Sequence, residues 1–310
     1  MTERGTGEPS ATEADGRAHA RSSSFGLRTD EARPPTEVWG ILNVTPDSFS
    51  DGGAYLRADS ALTQALKMLR EGAHVIDVGG ESSRPSGKTY GAVSDVSEQE
   101  ELARVLPVIR MLQGYGARIS IDTVKAKVAE RALCAGACIL NDVSCGRSEA
   151  LLRVAAESGA ELVLMHNRGR GERTAANTQY GPQLVRAVRE ELMAAMDRAV
   201  TAGVRAEQIW LDPGIGFAKQ PLQSASLLAH AAGLVATGQR VLVGASRKSF
   251  IAELAPLATS APPTTDERLG GSIAALTAAV LQGVHAVRVH DVLPSRQAVD
   301  LAVALREAPP

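Results

Sequence analysis

At 310 residues, 44% hydrophobic and 22% charged, the chain has the balance of an ordinary folded protein, long enough to bury a core without disulfides or metal. Its formal net charge of −2 and 3% aromatic content exclude broad electrostatic capture of nucleic acid or of an anionic membrane, and exclude a base-stacking platform. An odd, small set of cysteines (Cys134, Cys138, Cys145), no apolar run near the ~18 residues of a membrane span and no signal-like apolar core predict a cytoplasmic protein.

Residues 1–36 read as a disordered tail, because Gly, Ser, Thr, Pro and both charge signs leave Phe25 and Leu27 almost alone as large apolar groups. Its acids, Glu3, Glu8, Glu13 and Asp15, argue against an organelle transit peptide. From residue 37 to 310 the chain reads as one domain. Strand-like runs at 38–43, 74–79, 118–122, 138–142, 161–166, 208–212, 240–246 and 285–290 alternate with helical stretches at 59–71, 97–112, 124–134, 148–158, 180–202, 222–236, 266–282 and 294–306. Gly72, Gly136, Gly159, Gly203 and Gly283 close helices just ahead of the next strand. Eight such units over residues 38–306 match an α/β fold of the (β/α)8 TIM-barrel type. An open doubly wound sheet is the alternative; near-equal units and the lack of Gly-x-Gly-x-x-Gly after the first strand favour closure.

In such a barrel the C-terminal ends of the strands share one mouth. The residues there are polar after apolar runs: Asn43, Glu81, Arg84, Asp122, Asn141, Asp142, His166, Asn167, Asp212, Ser246, Lys248, Arg288 and His290. Any one of them could be a helix cap. Polar groups repeated around one apolar edge are costly unless paired or bound to something, so together they predict a binding site. Arg288 and His290, two apart on a strand, point the same way. Cys134-x3-Cys138 lacks paired histidines, and both thiols are expected in the core.

The blocks GILNVTPDSFSDGG (40–53), VIDVGGESSRP (75–85), ISIDT (119–123), ILNDVS (139–144), LMH (164–166), LDPGIGF (211–217), SRKSF (246–250), ERLGGSIAA (267–275) and VRVHDV (287–292) resemble, in order, those of the dihydropteroate synthases of folate synthesis. The resemblance implies a transferase that joins 6-hydroxymethyl-7,8-dihydropterin diphosphate to p-aminobenzoate, with Mg2+ and without a covalent enzyme intermediate. It implies Asp212 reading adjacent N–H donors of the pterin, Asp122 and Asn141 on other ring positions, Lys248 on its acceptor side, and Met165 and Phe217 as apolar rim. Asn43, Arg288 and His290 would hold the diphosphate, with Asn43 also touching Mg2+. Phe49, Ser83, Arg84, Pro85 and Ser249 would line the aminobenzoate site, its carboxylate resting at the start of the helix after Ser-Arg-Lys, with Asp51 near the reacting carbon. Catalysis is then assigned to Asp51, Lys248, Arg288 and His290. Arg288→Ala is expected to spare pterin binding and cut turnover.

Three departures from the family pattern are expected to matter on the acceptor side: Ser83 for Thr, a longer stretch at 86–93, and Ala218 for Gly. Family members also tend to pair through outer helices, which predicts a homodimer. The alternatives are a non-catalytic pterin-binding paralogue and a pterin-dependent methyltransferase module. Ser246-Arg247-Lys248 with Arg288-x-His290 disfavours the methyltransferase, and Asn43, Asp51, Arg288 and His290 disfavour the paralogue, since neither has a diphosphate to hold.

Overall fold

Eight short strands pair in chain order, all parallel, and the last closes on the first: β1 (Glu37–Asn43), β2 (Val75–Gly79), β3 (Ile119–Asp122), β4 (Ile139–Asp142), β5 (Glu161–Met165), β6 (Ile209–Asp212), β7 (Arg240–Val243) and β8 (Ala286–Val289). The computed structural model describes residues 1–2, 36–45, 54–81, 96–169, 174, 176–256 and 262–309, without the side chains of 54–57. Helices fill the intervals: α1 (Ala54–Arg70), α2 (Glu98–Gln113), α3 (Ala126–Cys134), α4 (Glu149–Ser158), α5 (Leu184–Thr201), α6 (Pro221–Ala229), α7 (Ala232–Val235), α8 (Ser249–Leu254), α9 (Leu269–Leu281) and α10 (Val292–Glu307). The expected (β/α)8 barrel is therefore the fold.

Strand parity sorts the core into two. Side chains such as Val38, Ile76, Ile121, Leu140, Leu164, Leu211, Val243 and Val287 point outward and pack under the helices. Their neighbours Trp39, Val75, Ile139, Val163, Trp210, Leu242 and Ala286 point inward and plug the barrel. The two tryptophans meet edge to face, 5.2 Å between ring centroids.

Below this plug the barrel floor is closed by charge. Glu37 accepts from Trp39 Nε1 at 2.8 Å and from Arg118 at 3.0 Å; Arg118 reaches on to Glu161, which also takes Arg240 at 2.9 Å. Arg240 lies 4.3 Å over the Trp210 ring.

Local signals set the element ends. Ser148 Oγ accepts from Leu151 N at 3.3 Å and caps α4, an interaction worth about 1 kcal/mol. All five helix-closing glycines have positive φ, from 68° at Gly159 to 119° at Gly136.

Four expectations change. Thr36 is buried, and its hydroxyl donates to Val284 O at 3.0 Å, so the barrel includes it; residues 3–35 of the proposed tail lie outside the described residues. The helix expected from 180 begins at Leu184, because Pro182 disfavours helical dihedrals in the residue before it. The single helix expected over 222–236 is two, since His230 leaves helical geometry at φ −123°, ψ 27°. Cys134 and Cys138 are exposed rather than in the core; only Cys145 is buried. Cys134 sits in the last turn of an outer helix, and Cys138 lies just before the buried part of β4.

Candidate active site

Two residues above the apolar plug, the inward positions change character. They become Ile41, Asp77, Asn141, Met165, Asp212, Gly244 and Arg288, with Ser120 and Asp122 on β3. Asn43, Gly79, Asp122 and Asn141 are register partners across four strands and form one row of the mouth. Gly79 leaves that row open: a Cβ there would only just touch Asp122 Cβ at 3.7 Å and Asn43 Oδ1 at 3.8 Å.

Arg288 is the hub. It is 6% exposed, its Nη1 donates to Asp77 Oδ2 at 2.9 Å, and its Nη2 lies 3.9 Å from Asp212 Oδ2. It packs so closely on Gly244 that a Cβ there would stand 3.3 Å from Nε. The carboxylates of Asp77, Asp212 and Asp122 keep its proton more tightly than usual despite burial. Asp77 Oδ2 also accepts from Asn141 Nδ2 at 3.1 Å, which fixes the amide with its oxygen on the other side. Asp212 Oδ1 is taken by Gly214 N at 2.7 Å.

Among the described residues, four buried oxygens of this inward set have no hydrogen-bond partner: Asp77 Oδ1, Asn141 Oδ1, Asp212 Oδ2 and Ser120 Oγ. Groups of this kind are costly when left unmade, so a cluster of them at the mouth points to a ligand rich in N–H donors.

Lys248, between β7 and α8, donates to Ile215 O and holds its ammonium 4.6 Å over the Phe217 ring. Burial pushes the Lys248 ammonium down to about 7, opposed by Asp212. Burial pushes Asp122 up to about 7, with the charge of Asp77 adding to it. Met165 is fully buried and pairs in register with Asp212; Phe217 is half-buried in the β6–α6 loop. His290 closes the row, its backbone N donating to Ser246 Oγ at 3.2 Å and its Nδ1 3.1 Å from the same oxygen. Ser249 opens α8, a helix of only six residues.

The structure thus brings Asn43, Asp122, Asn141, Met165, Asp212, Phe217, Lys248, Ser249, Arg288 and His290 to one end of the barrel. Asp51, Phe49, Ser83, Arg84, Pro85 and the 86–93 stretch lie outside the described residues.

Other strand-end residues do not join the pocket. Asp142 accepts from Ser144 N and Gly146 N, both at 2.7 Å, and shapes the turn after β4. Glu81 pairs with Lys125. Asn167 donates to Val143 O at 3.3 Å, and His166 bonds Lys219 and Glu191. Ala218 follows Phe217 on the Lys248 wall, at φ 48°.

Asp77 and Lys219 were not among the expected residues. Parity could have exposed Asp77, which is flanked at two-residue spacing by inward Val75 and Gly79. Nothing in the sequence flags Lys219, whose side-chain partner His166 lies 53 residues away, just past the end of β5.

Among the described residues no cluster of three acidic, histidine or cysteine side chains could cage a metal ion. Beside Asn141, whose amide is bonded to Asp77, the mouth offers the neutral amide oxygen of Asn43 at its open row. That donor suits a hard cation whose remaining ligands are phosphate oxygens and water.

The mouth of this closed parallel barrel carries unpartnered acceptors, a lysine and an arginine, a set that suits a flat heterocycle with an N–H edge. The family model described as "Pterin binding enzyme" matches residues 39–290. The dihydropteroate synthase of Mycobacterium leprae is 43% identical over 279 residues, covering 89% of this chain and 95% of the relative. A Clostridium difficile dihydropteroate synthase crystallised with pteroic acid superposes with a TM-score of 0.78 at 39% identity, covering 87% of this chain and 96% of the other. One from Xanthomonas albilineans with 4-aminobenzoic acid gives 0.78 at 36% identity, covering 88% and 94%. The chain belongs to the pterin binding enzyme family, among its dihydropteroate synthases.

Proposed function

We propose that the chain condenses 6-hydroxymethyl-7,8-dihydropterin diphosphate with p-aminobenzoate, giving 7,8-dihydropteroate and diphosphate. The observation that carries this is the set of unpartnered acceptors Asp77 Oδ1, Asn141 Oδ1 and Asp212 Oδ2 beside Arg288 and Lys248. A pterin edge supplies the N–H donors these oxygens lack, and its carbonyl and ring nitrogen take the Lys248 ammonium. Asp122 accepts at a further ring position, and Met165 and Phe217 cover the apolar faces. Arg288 belongs to this floor, through Asp77 and Asp212, and also faces the diphosphate side with Asn43 and His290.

The chemistry needs charge stabilisation more than a nucleophile. The C–O bond to diphosphate breaks with its electron pair leaving on oxygen, and Arg288 and His290 stabilise that developing charge. The amine lone pair of p-aminobenzoate then forms the C–N bond and the nitrogen sheds a proton. Ser249 donates to the acceptor's carboxylate; Phe49, Ser83, Arg84, Pro85 and Asp51 complete that side in this reading. Mg2+, when bound, would screen the diphosphate charge, and Asn43 is the residue that would hold it. Sulfonamides, which mimic the acceptor, compete for the same place.

Two further properties go with this reading. Leu293, Leu301 and Leu305 on α10 are each 60% exposed and Leu281 on the adjoining α9 is 44% exposed, an apolar face suited to a second copy of the chain. The protein works in the cytoplasm as a homodimer. Among the described residues no helix is long and apolar enough to cross a membrane. A coupled assay of diphosphate release decides the function: release that depends on p-aminobenzoate supports it. Release without acceptor, or none with both substrates present, refutes it.

A further inference from the structure

Lys219 is 0% exposed and is used by none of the steps above. Its Nζ lies 2.9 Å from His166 Nδ1 and 2.9 Å from Phe217 O. An amine of lysine in its charged form can only donate, so Nδ1 of His166 is the acceptor and the imidazole carries its proton on Nε2. That Nε2 lies 3.0 Å from Glu191 Oε2 and donates to it. Arg168 closes on Glu191 from the other side, with Nε 3.1 Å from both carboxylate oxygens. The Arg168 guanidinium rests 3.8 Å over the Tyr180 ring, and the Tyr180 hydroxyl donates to Ala218 O at 2.9 Å. The network leaves the β6–α6 loop at Phe217 and returns to it at Ala218.

That loop follows a path that needs holding. Gly214, Gly216 and Ala218 have φ of 63°, 82° and 48°. Gly214 sits so close to β5 that a Cβ would stand 2.0 Å from His166 O. Ala218 carries a Cβ in the left-handed region, which costs about 1 kcal/mol where glycine costs none. Two ammonium groups grip the loop's carbonyls: Lys248 takes Ile215 O, and Lys219 takes Phe217 O.

We propose that Lys219 is a positioning residue for pterin recognition: its bonds to His166 and to the Phe217 carbonyl hold the β6–α6 loop in the left-handed path that sets Phe217 beside Lys248. The proposal rests on the reading of this mouth as the pterin site. The electrostatics agree with the geometry. Burial, then the charge of Lys219, pushes His166 down to about 4, so it stays a neutral acceptor at working pH. Burial pushes Lys219 down to about 7, but the neutral amine keeps two N–H donors for its two partners.

The test uses the full-length protein and three variants, Lys219→Met, His166→Asn and His166→Gln. Affinity for the pterin diphosphate is measured by calorimetry, the KM of each substrate by turnover, and the His166 ring by 15N NMR. Wild-type binding and turnover check the site itself; if wild type does neither, the reading of the mouth fails, whatever the variants do. In an active protein, Lys219→Met should weaken pterin binding about tenfold or more, with the p-aminobenzoate KM within about twofold. His166 should then titrate nearer the ordinary histidine value, because the opposing charge is gone. Asparagine places its oxygen where Nδ1 stood and keeps the acceptor for Lys219, whereas glutamine reaches Glu191 and loses it. His166→Gln should therefore lose more pterin affinity than His166→Asn, and this pair decides the matter if Lys219→Met does not fold. Unchanged pterin affinity in a folded Lys219→Met protein, or equal losses in the two His166 variants, overturns the proposal.

Discussion

Asp212→Asn exchanges one oxygen for an NH2 group and keeps the shape of the side chain. The structure says which oxygen goes. Asp212 Oδ1 accepts from Gly214 N at 2.7 Å, so the amide keeps its carbonyl there and puts its nitrogen where Oδ2 stood. Oδ2 is the atom without a partner, 3.9 Å from Arg288 Nη2. The variant therefore turns an acceptor into a donor that faces the N–H edge of the pterin and the guanidinium. Losing a charge-assisted hydrogen bond costs about 1.5–3 kcal/mol, and the opposed donors add to it. About 3 kcal/mol corresponds to roughly a hundredfold in Kd. Stability should move little, because Arg288 keeps Asp77 at 2.9 Å; a change within about 1 kcal/mol shifts the melting temperature by under ~4 °C in a chain this long. Calorimetry with the pterin diphosphate and a thermal melt on the same sample separate the two. A Kd within about threefold of wild type would refute the reasoning, as would a melting loss large enough to account for the lost binding.

Arg288→Ala leaves Asp77 and Asp212 buried without their shared cation, so it should weaken pterin binding as well as turnover, contrary to the expectation from sequence alone; calorimetry showing intact pterin affinity would restore that expectation. The kcat/KM for the pterin substrate should be bell-shaped with both limbs near pH 7: below it Asp122 gains a proton and stops accepting, above it Lys248 loses one and its charge. Asp122→Asn should remove the acid limb, and a flat profile between about pH 6 and 8 would contradict the assignment. Because burial raises the Asp122 carboxyl, its contribution to stability is complete below the unfolded value and fades as pH rises through about 7, a slope that Asp122→Asn melts should lack. Ala218→Gly relieves a left-handed alanine but frees the unfolded chain, so thermal melts should show a change under about 1 kcal/mol; Ala218→Val should be destabilised by clearly more.

The barrel was legible because each unit repeats two independent signals, an apolar run of strand length and a glycine that ends the helix before it. The site was legible only at its rim. Reading strand ends selected Asp122, Asp212 and Lys248 correctly as mouth residues, yet swept in Asp142 and His166, whose parity turns them outward to a turn and to a buried network. Asp77 was passed over because it sits mid-strand, where an aspartate looks like a defect until the barrel closes and Arg288, 211 residues away, meets it. Lys219 had no local signature at all: a lysine ahead of Gln-Pro at a helix start reads as solvated surface, yet the folded loop buries it against His166 and Phe217 O.

The two ends of the barrel show why the chemistry sits where it does, independently of any relative. At the floor, Glu37, Arg118, Glu161 and Arg240 alternate in sign and bond one another, and both tryptophan N–H groups are taken. Among the described residues, no buried side-chain polar atom of those four residues lacks a partner. At the mouth, three carboxylates share one guanidinium and one lysine, four oxygens have no hydrogen-bond partner among the described residues, and Asp122 and Lys248 are both driven toward neutrality. Such an arrangement is destabilising for the empty protein, because buried polar groups without partners forfeit solvation. A bound heterocycle with a donor edge would complete those bonds and favour the charged forms of both side chains. The same unmet hydrogen bonds that weaken the fold at one end are thus the source of affinity there, and substrate should raise the melting temperature of the wild-type protein more than that of Asp212→Asn.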